Sequence, residues 1–513
     1  MRRSPLPWIA IAVGVVLSVL IRLRAFWSPI TSDEGGFLAI ARAWAHGKVL
    51  YRDVWVDRPQ GLLVIYRVWD WVSGGSVASL RIMAMLFGAA LVVGVAAATT
   101  VLAGRTAGGL AAVLVGVCAS SPAIEGHLAN GELLSGAFAV AGFAVAAVAV
   151  RRTTDAGTWR LYVAGGVLGG CALSIKQSGY EGIVAIGLWM VVAVVARWRT
   201  PRQAATAIGQ LAAGVLLVIG VLAVHGAFTG FSRWWFAFAG YRLGRRSAFE
   251  GADWDRFFTT ARVARPVIWP LLAICLLGCV LSIVLRHRGA RGRSQPDTVS
   301  TTPGLTTLLV LWPVAASIAF MTGGQFHRHY WLTLCPSLCA LAAGLLCRRL
   351  RPPLAYGLAL LALVPTTVNT VKILRVSDRK FPIAASGDGR PNRDERLAAW
   401  FRGIRTPGDE LYVMCASAGF YANADQDPVY PYLWEDNVQM VPGAQATLRA
   451  LLRSPTKPRY VAIYESPDTC DPTGATASIL ATNYRPFANV AGIAVLRRTG
   501  TSAGTDTGIS RTP

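Results

Sequence analysis

Two adjacent carboxylates, Asp33 and Glu34, stand in the stretch Thr31-Ser32-Asp33-Glu34-Gly35-Gly36, just after an apolar run that ends near Trp27. More charge of both signs follows. Residues 51–61 add Asp53, Asp57 and Arg58, residues 124–134 add Glu125 and Glu132, and Lys176 stands in "IKQSGYEG". Residues 323–330 end in His327, Arg328, His329 and Tyr330. A carboxylate can take the proton of an attacking hydroxyl. Arg, Lys and His can hold a phosphate and stabilise the charge that grows as it leaves. Charges beside apolar spans are costly and read as functional by default. Together they suit group transfer at headgroup level, where a lipid-bound phosphate lies.

The elements that must position these residues are membrane spans. The chain has 513 residues, 53% hydrophobic and only 15% charged, with mean hydropathy +0.45; a soluble chain carries about a quarter charged residues. The apolar residues fall in blocks of roughly 17–25, the length that crosses the hydrocarbon. About eleven spans are expected, near 7–26, 80–103, 107–121, 132–150, 161–175, 183–196, 204–225, 266–285, 305–321, 331–347 and 354–372. The first resembles a signal peptide in its "MRR" start, but "IRLRAFW" lacks a small-residue cleavage site, so it reads as an anchor.

The net charge of +23 is concentrated in short loops: "RRTTDAGTWR" (151–160), "RWRTPR" (197–202), "RHRGARGR" (286–293) and "RRLR" (348–351). Such loops mark the cytoplasmic side. They recur after every second span, which favours topology over a nucleic-acid surface. With the N-terminus cytoplasmic, residues 27–79, 122–131, 176–182, 226–265 and 322–330 and all that follows 372 face outward from the cell membrane.

The expected fold class is an α-helical polytopic membrane protein with a small extracytoplasmic α/β domain at the C-terminus. Its divisions are 1–372, which contains the first external loop 27–79, then 373–500, then a disordered tail at 501–513. The strand signals of 373–500 are "ELYVMC", "RYVAIY" and "IAVLRR", separated by Pro, Gly and Asp turns. Loops 27–79 and 226–265 mix aromatics with charges; they read as amphipathic helices in the interface, or as ordinary surface helices. Seven cysteines lie in or beside apolar runs as small packing residues, whereas Cys415 and Cys470 lie in the polar region, where a disulfide would suit an extracytoplasmic domain. There is no P-loop and no dinucleotide fingerprint, and "GGVLGG" (165–170) fits close helix packing.

The stretch "SDEGGFLAIARAWAHGKVLYRDVWVDRPQGLLVIY" (32–66) resembles the first external loop of GT-C superfamily glycosyltransferases that use polyprenyl-phosphate sugars. Protein O-mannosyltransferases and lipid A aminoarabinose transferases are the most similar in style. The likeness lies in an acidic pair, a turn ending in Tyr51-Arg52-Asp53, and Asp57-Arg58-Pro59-Gln60, where many members have Lys-Pro-Pro after the acid. Glu132 at the start of the fourth span and "FHRHYWLTLCP" (326–336) extend it architecturally to about residue 375.

The resemblance implies Asp33 as general base, with Glu34 orienting the base or the acceptor. It implies Arg58, Lys176, His327 and Arg328 as contacts to the donor phosphate, and Asp57, Glu132, His329 and Tyr330 as contacts to sugar or acceptor. The reaction implied is a single inverting displacement. A mannose- or arabinose-type sugar would pass from polyprenyl monophosphate to a glycan, glycolipid or protein hydroxyl. The leaving group is already a good one, so the chemistry requires no cofactor and no divalent metal; two histidines two apart make a weak metal site. Partners are the lipid-linked sugar, the acceptor and membrane lipids, and no nucleic acid.

Each residue also has a plainer role. Asp33 and Glu34 could favour the N-terminus of the helix "GFLAIARAW", Arg58 could pair with Asp57 or Asp53, Lys176 could snorkel, and Glu132 could cap its span. Arg242, Arg245 and Arg246 read as contacts to anionic lipid. A transporter or flippase of lipid-linked sugars is the rival function, but internal repeats and midplane charges are not visible. A receptor reading leaves the acidic pair unexplained.

Overall fold

The computed structural model describes residues 5–152, 157–244, 251–289, 304–415 and 417–500. The tail 501–513, Arg245 and Arg246, and the loop stretches 153–156 and 290–293 lie outside the described residues. In chain order the helices are α1 (Leu6–Leu23), α2 (Ser32–Ala45), α3 (Gln60–Val72), α4 (Leu80–Ala103), α5 (Arg105–Cys118), α6 (Gly131–Arg152), α7 (Thr158–Ile175), α8 (Glu181–Val195) and α9 (Pro201–Thr229). Next come α10 (Phe231–Trp235), α11 (Tyr241–Gly244), α12 (Gly251–Gly289), α13 (Leu305–Thr322), α14 (Cys335–Arg349), α15 (Pro352–Ala362), α16 (Val364–Leu374), α17 (Phe381–Ser386) and α18 (Arg390–Ile404).

Two compact units result. One joins Met1–Ile30 to Asp57–Gly389, and the other joins Thr31–Val56 to Arg390–Pro513. The boundary thus falls at 389 rather than 372, and the expected first loop is split between the units. The physical reason is burial. Helix α2 buries Phe37, Leu38, Ala39, Ile40, Ala41 and Ala43 within a folded unit, so it is not a helix lying in the interface.

The first unit is all helix. Each of the eleven apolar runs is helical. Seven helices among the described residues are long and apolar enough to cross a membrane, or eight if α15 and α16, bent by 44°, form one span. Helices α5 and α8 are apolar but shorter, so the count of eleven spans is not reached by length and composition alone. The protein is a multi-pass membrane protein. Glycines let its helices approach closely. A methyl group at Gly165 would lie 3.0 Å from the Gly142 carbonyl oxygen of α6, and one at Gly170 would lie 2.9 Å from Val218 of α9. The "GGVLGG" stretch therefore serves packing on two sides of α7. Helix α9 starts with a capping box between Thr200 and Gln203, with Pro201 at its first position.

The second unit is built on a four-stranded sheet of β1 (Leu411–Met414), β2 (Tyr460–Ile463), β3 (Tyr484–Val490) and β4 (Ile493–Arg498), ordered β1-β2-β4-β3. β1 and β2 are parallel, and β4 is antiparallel to both β2 and β3. Expected strands and observed strands coincide at β1, β2 and β4. Tyr412, Met414, Tyr430, Val438, Leu448, Leu452, Val461 and Leu480 form its core. Cys415 and Cys470 are disulfide-bonded, with Cα atoms 5.8 Å apart. The other seven cysteines are free.

Candidate active site

In the helical unit a cluster of charges gathers around the N-terminus of α6. Asn130 caps that helix by accepting from the Leu133 amide at 2.9 Å, which leaves the carboxylate of Glu132 for other work. Glu132 is buried and forms an ion pair with Lys176, the residue that ends α7 in an extended conformation. The Lys176 ammonium lies 3.8 Å from the centroid of the Tyr330 ring, within cation–π range. Lys176 is itself buried, so it does not snorkel.

A 3₁₀ turn, Arg328–Thr333, carries His329 and Tyr330 into the same cluster. His329 Nδ1 lies 2.6 Å from Glu125 Oε2, and its Nε2 lies 3.6 Å from Glu132 Oε1. Glu125 adopts a left-handed backbone conformation (φ 55°) at the end of the turn Pro122–Ile124. Gln325 and Phe326, just ahead of the 3₁₀ turn, also have positive φ values of 24° and 44°; such strain concentrates where geometry is over-determined.

Asp57 is clasped by two arginines, Arg58 at 2.8 Å and Arg242 at 2.5 Å. Its carbonyl accepts from Gln177 Nε2 at 2.9 Å, and the same Nε2 donates to the Phe238 carbonyl at 3.1 Å. Arg242 also donates to Gln325 Oε1 at 3.3 Å. Tyr330 is close enough to feel the charges of Lys176, Arg242 and Arg58. Arg242 therefore belongs to the site, whereas the sequence suggested only a lipid contact. A water-sized cavity of about 10 Å³ is lined by Glu132, Ser135, Lys176, Ser178, Glu181 and Thr333. Glu181 is buried, and its Oε2 has no hydrogen-bond partner among the described residues.

Two of the expected phosphate contacts sit differently. Arg328 donates to the Ala385 carbonyl at 3.1 Å, and its guanidinium lies against Gly387. It ties the C-terminal end of α17. His327 stacks on His329 with ring centroids 5.5 Å apart. Burial, and then the charges of His329 and Arg256, hold its imidazole well below the usual histidine range, so it is neutral near pH 7.

In the second unit the acidic pair divides its roles. Thr31 and Glu34 form a capping box at the start of α2: the Glu34 amide donates to Thr31 Oγ1 at 3.3 Å, and Glu34 Oε2 accepts from the Thr31 amide at 3.0 Å. Glu34 is buried by this arrangement. Asp33, half-buried on the same turn, accepts from the Trp434 indole N–H at 3.0 Å. Asp53 is occupied by Arg52 and by the Val49 amide. Among the described residues, no group of three or more His, Cys, Asp or Glu side chains is placed to hold a metal ion. Arg242 and Glu125 carried a charge signal in the sequence; Trp434 carried none.

No protein-family model and no curated protein matches the chain. Solved structures do. ArnT from Cupriavidus metallidurans, bound to undecaprenyl phosphate, aligns over 97% of this chain and 98% of its own with a TM-score of 0.63 at 15% identity. The same protein in the apo state gives 0.62 at 16% identity, over 95% and 97% of the two chains. The archaeal oligosaccharyltransferase AglB from Archaeoglobus fulgidus, in complex with an inhibitory peptide and a dolichol-phosphate, aligns over 89% of this chain and 69% of its own, with TM-score 0.57 at 15% identity. The expected fold, a polytopic helical unit with a small α/β region at the C-terminus, is the fold found, and it is shared with these structures.

Proposed function

We propose that the protein is a membrane glycosyltransferase that moves a sugar from a polyprenyl monophosphate to an acceptor hydroxyl. The acceptor is a glycan, a glycolipid or a protein at the extracytoplasmic face of the cell membrane, and the N-terminus is cytoplasmic. Asp33 takes the proton of the acceptor hydroxyl. The acceptor oxygen bonds to the anomeric carbon, the bond from that carbon to the phosphate oxygen breaks, and polyprenyl phosphate leaves with the electron pair. The configuration inverts. Lys176, Arg58 and Arg242 stabilise the departing phosphate electrostatically, and neutral His327 donates a hydrogen bond. Glu132, His329, Tyr330 and Asp57 orient the cations and meet the sugar hydroxyls. No metal is needed by this chemistry. A mannose- or arabinose-type sugar is the expected cargo.

The observation that carries this reading is the buried cation set of the helical unit, with Lys176 held between Glu132 and the Tyr330 face and Arg58 and Arg242 held on Asp57. Buried charge of this kind in a membrane protein marks a functional site, and the fold is one that polyprenyl-phosphate-binding transferases share. The experiment uses protein in lipid nanodiscs, polyprenyl-phosphate [3H]mannose or arabinose, and a mixed envelope extract. Label moving to an acceptor with inverted anomeric configuration supports the reading. In proteoliposomes, intact labelled lipid that crosses the bilayer without bond cleavage supports a flippase instead.

A further inference from the structure

Asp33 is held by a residue 401 positions away, the indole of Trp434. An indole N–H only donates, so this contact fixes one of the two carboxylate oxygens. Among the described residues, Asp33 has no other polar partner.

Trp434 is itself built into place. Its ring lies 5.6 Å from that of Phe37 on α2. A methyl group added at Gly36 would come within 2.5 Å of Trp434 Cζ2 and 2.7 Å of Ala418 Cβ, so the glycine makes the seat for the indole. The Ala418 amide donates to Ser32 Oγ at 3.0 Å. Next to it, Ser417 sits at φ 62° and gives its hydroxyl to Asp394, which also accepts from the Tyr464 hydroxyl and is fully buried. Residues 32, 33, 36 and 37 of α2 are thus all engaged by segments of the C-terminal region. The cap made by Thr31 and Glu34 keeps the neighbouring carboxylate out of competition.

We propose that Trp434 is a positioning residue for Asp33, and that the C-terminal region exists in part to aim the base. This rests on the reading of Asp33 as general base. Oδ1 accepts the indole N–H, and Oδ2 remains to take the acceptor proton. Residues 417–419 and the buried Asp394 network brace the seat from behind.

The test uses the full chain in nanodiscs and the variant Trp434→Phe, which keeps an aromatic ring and deletes the donor. Hydrogen bonds to charged groups predict a kcat about ten- to a hundredfold lower. KM for polyprenyl-phosphate mannose stays unchanged. Added to Asp33→Asn, the substitution causes no further loss. A second measurement is independent of activity. In protein labelled with 5-fluorotryptophan, the 19F resonance missing from Trp434→Phe moves in Asp33→Asn.

Wild-type kcat in Trp434→Phe, or a 434 resonance indifferent to Asp33→Asn, overturns the inference. If wild-type protein transfers no sugar, the glycosyltransferase reading falls, and the resonance alone decides whether Trp434 holds Asp33.

Discussion

The ammonium of Lys176 is shared between the carboxylate of Glu132 and the face of Tyr330, 3.8 Å from the ring centroid. All three residues are buried. Breaking one half of a buried pair leaves an uncompensated charge and costs about 3–5 kcal/mol. Lys176→Met is therefore expected to unfold at markedly lower temperature than wild type. The double variant Glu132→Gln/Lys176→Met recovers most of that stability and still binds donor poorly. Thermal unfolding in nanodiscs reads the first effect, and retention of labelled polyprenyl-phosphate mannose reads the second. A single variant as stable as wild type contradicts the pairing.

The capping box separates Glu34 from Asp33 experimentally. Glu34→Ala removes the cap and is expected to lower stability by about 1 kcal/mol, within the range of roughly 0.5–2 for such losses. Glu34→Gln keeps a capping side chain and stays close to wild type in stability. Chemical denaturation of both variants checks this. Equal losses in the two would show that the box contributes nothing.

The Cys415–Cys470 bridge closes a loop with a sequence separation of 55 residues. Replacing both cysteines by serine is expected to cost about 2–5 kcal/mol in the C-terminal region. Mass shift after alkylation with and without reductant confirms the bond, and denaturation followed by near-ultraviolet circular dichroism measures its worth. A bridge present in cells also supports an oxidising compartment for this region.

Asp471 gives the C-terminal region a defined acid response. Burial alone would raise its pKa, but Thr473, Thr476 and Arg449 outweigh burial and hold it below the usual carboxylate range. A depressed folded value stabilises the fold at pH above the unfolded value of about 3.9. That contribution is lost as pH falls through the folded value. Asp471→Asn is therefore less stable than wild type at pH 7, and the gap narrows below about pH 4. A gap that is constant with pH contradicts this account.

Much of the fold was legible in the sequence because apolar length and strand alternation are local properties. The eleven runs became helices, and "ELYVMC", "RYVAIY" and "IAVLRR" became strands. The Thr31–Glu34 spacing also announces a helix start. What was not legible depends on distant partners. Nothing near Thr31–Val56 says that it folds with residues beyond 390, and nothing near Trp434 says that its indole meets Asp33. The pairing of Arg242 with Asp57 likewise joins residues separated by the eight helices α3 to α10 in sequence, and Arg328, placed in a promising basic cluster, ties the end of α17.

The central claim is that Asp33 is the base, and Asp33→Asn tests it most directly. The substitution keeps an acceptor oxygen for Trp434 and changes little in size. Single-turnover transfer from polyprenyl-phosphate mannose, and separately arabinose, to envelope acceptors is measured in nanodiscs for both proteins, with unfolding temperature as the control. The account predicts unchanged stability and a loss of roughly 10²–10⁴-fold in the transfer rate, the contribution of a general base. Transfer at the wild-type rate by a folded Asp33→Asn protein would contradict it and leave Asp33 as part of the helix terminus.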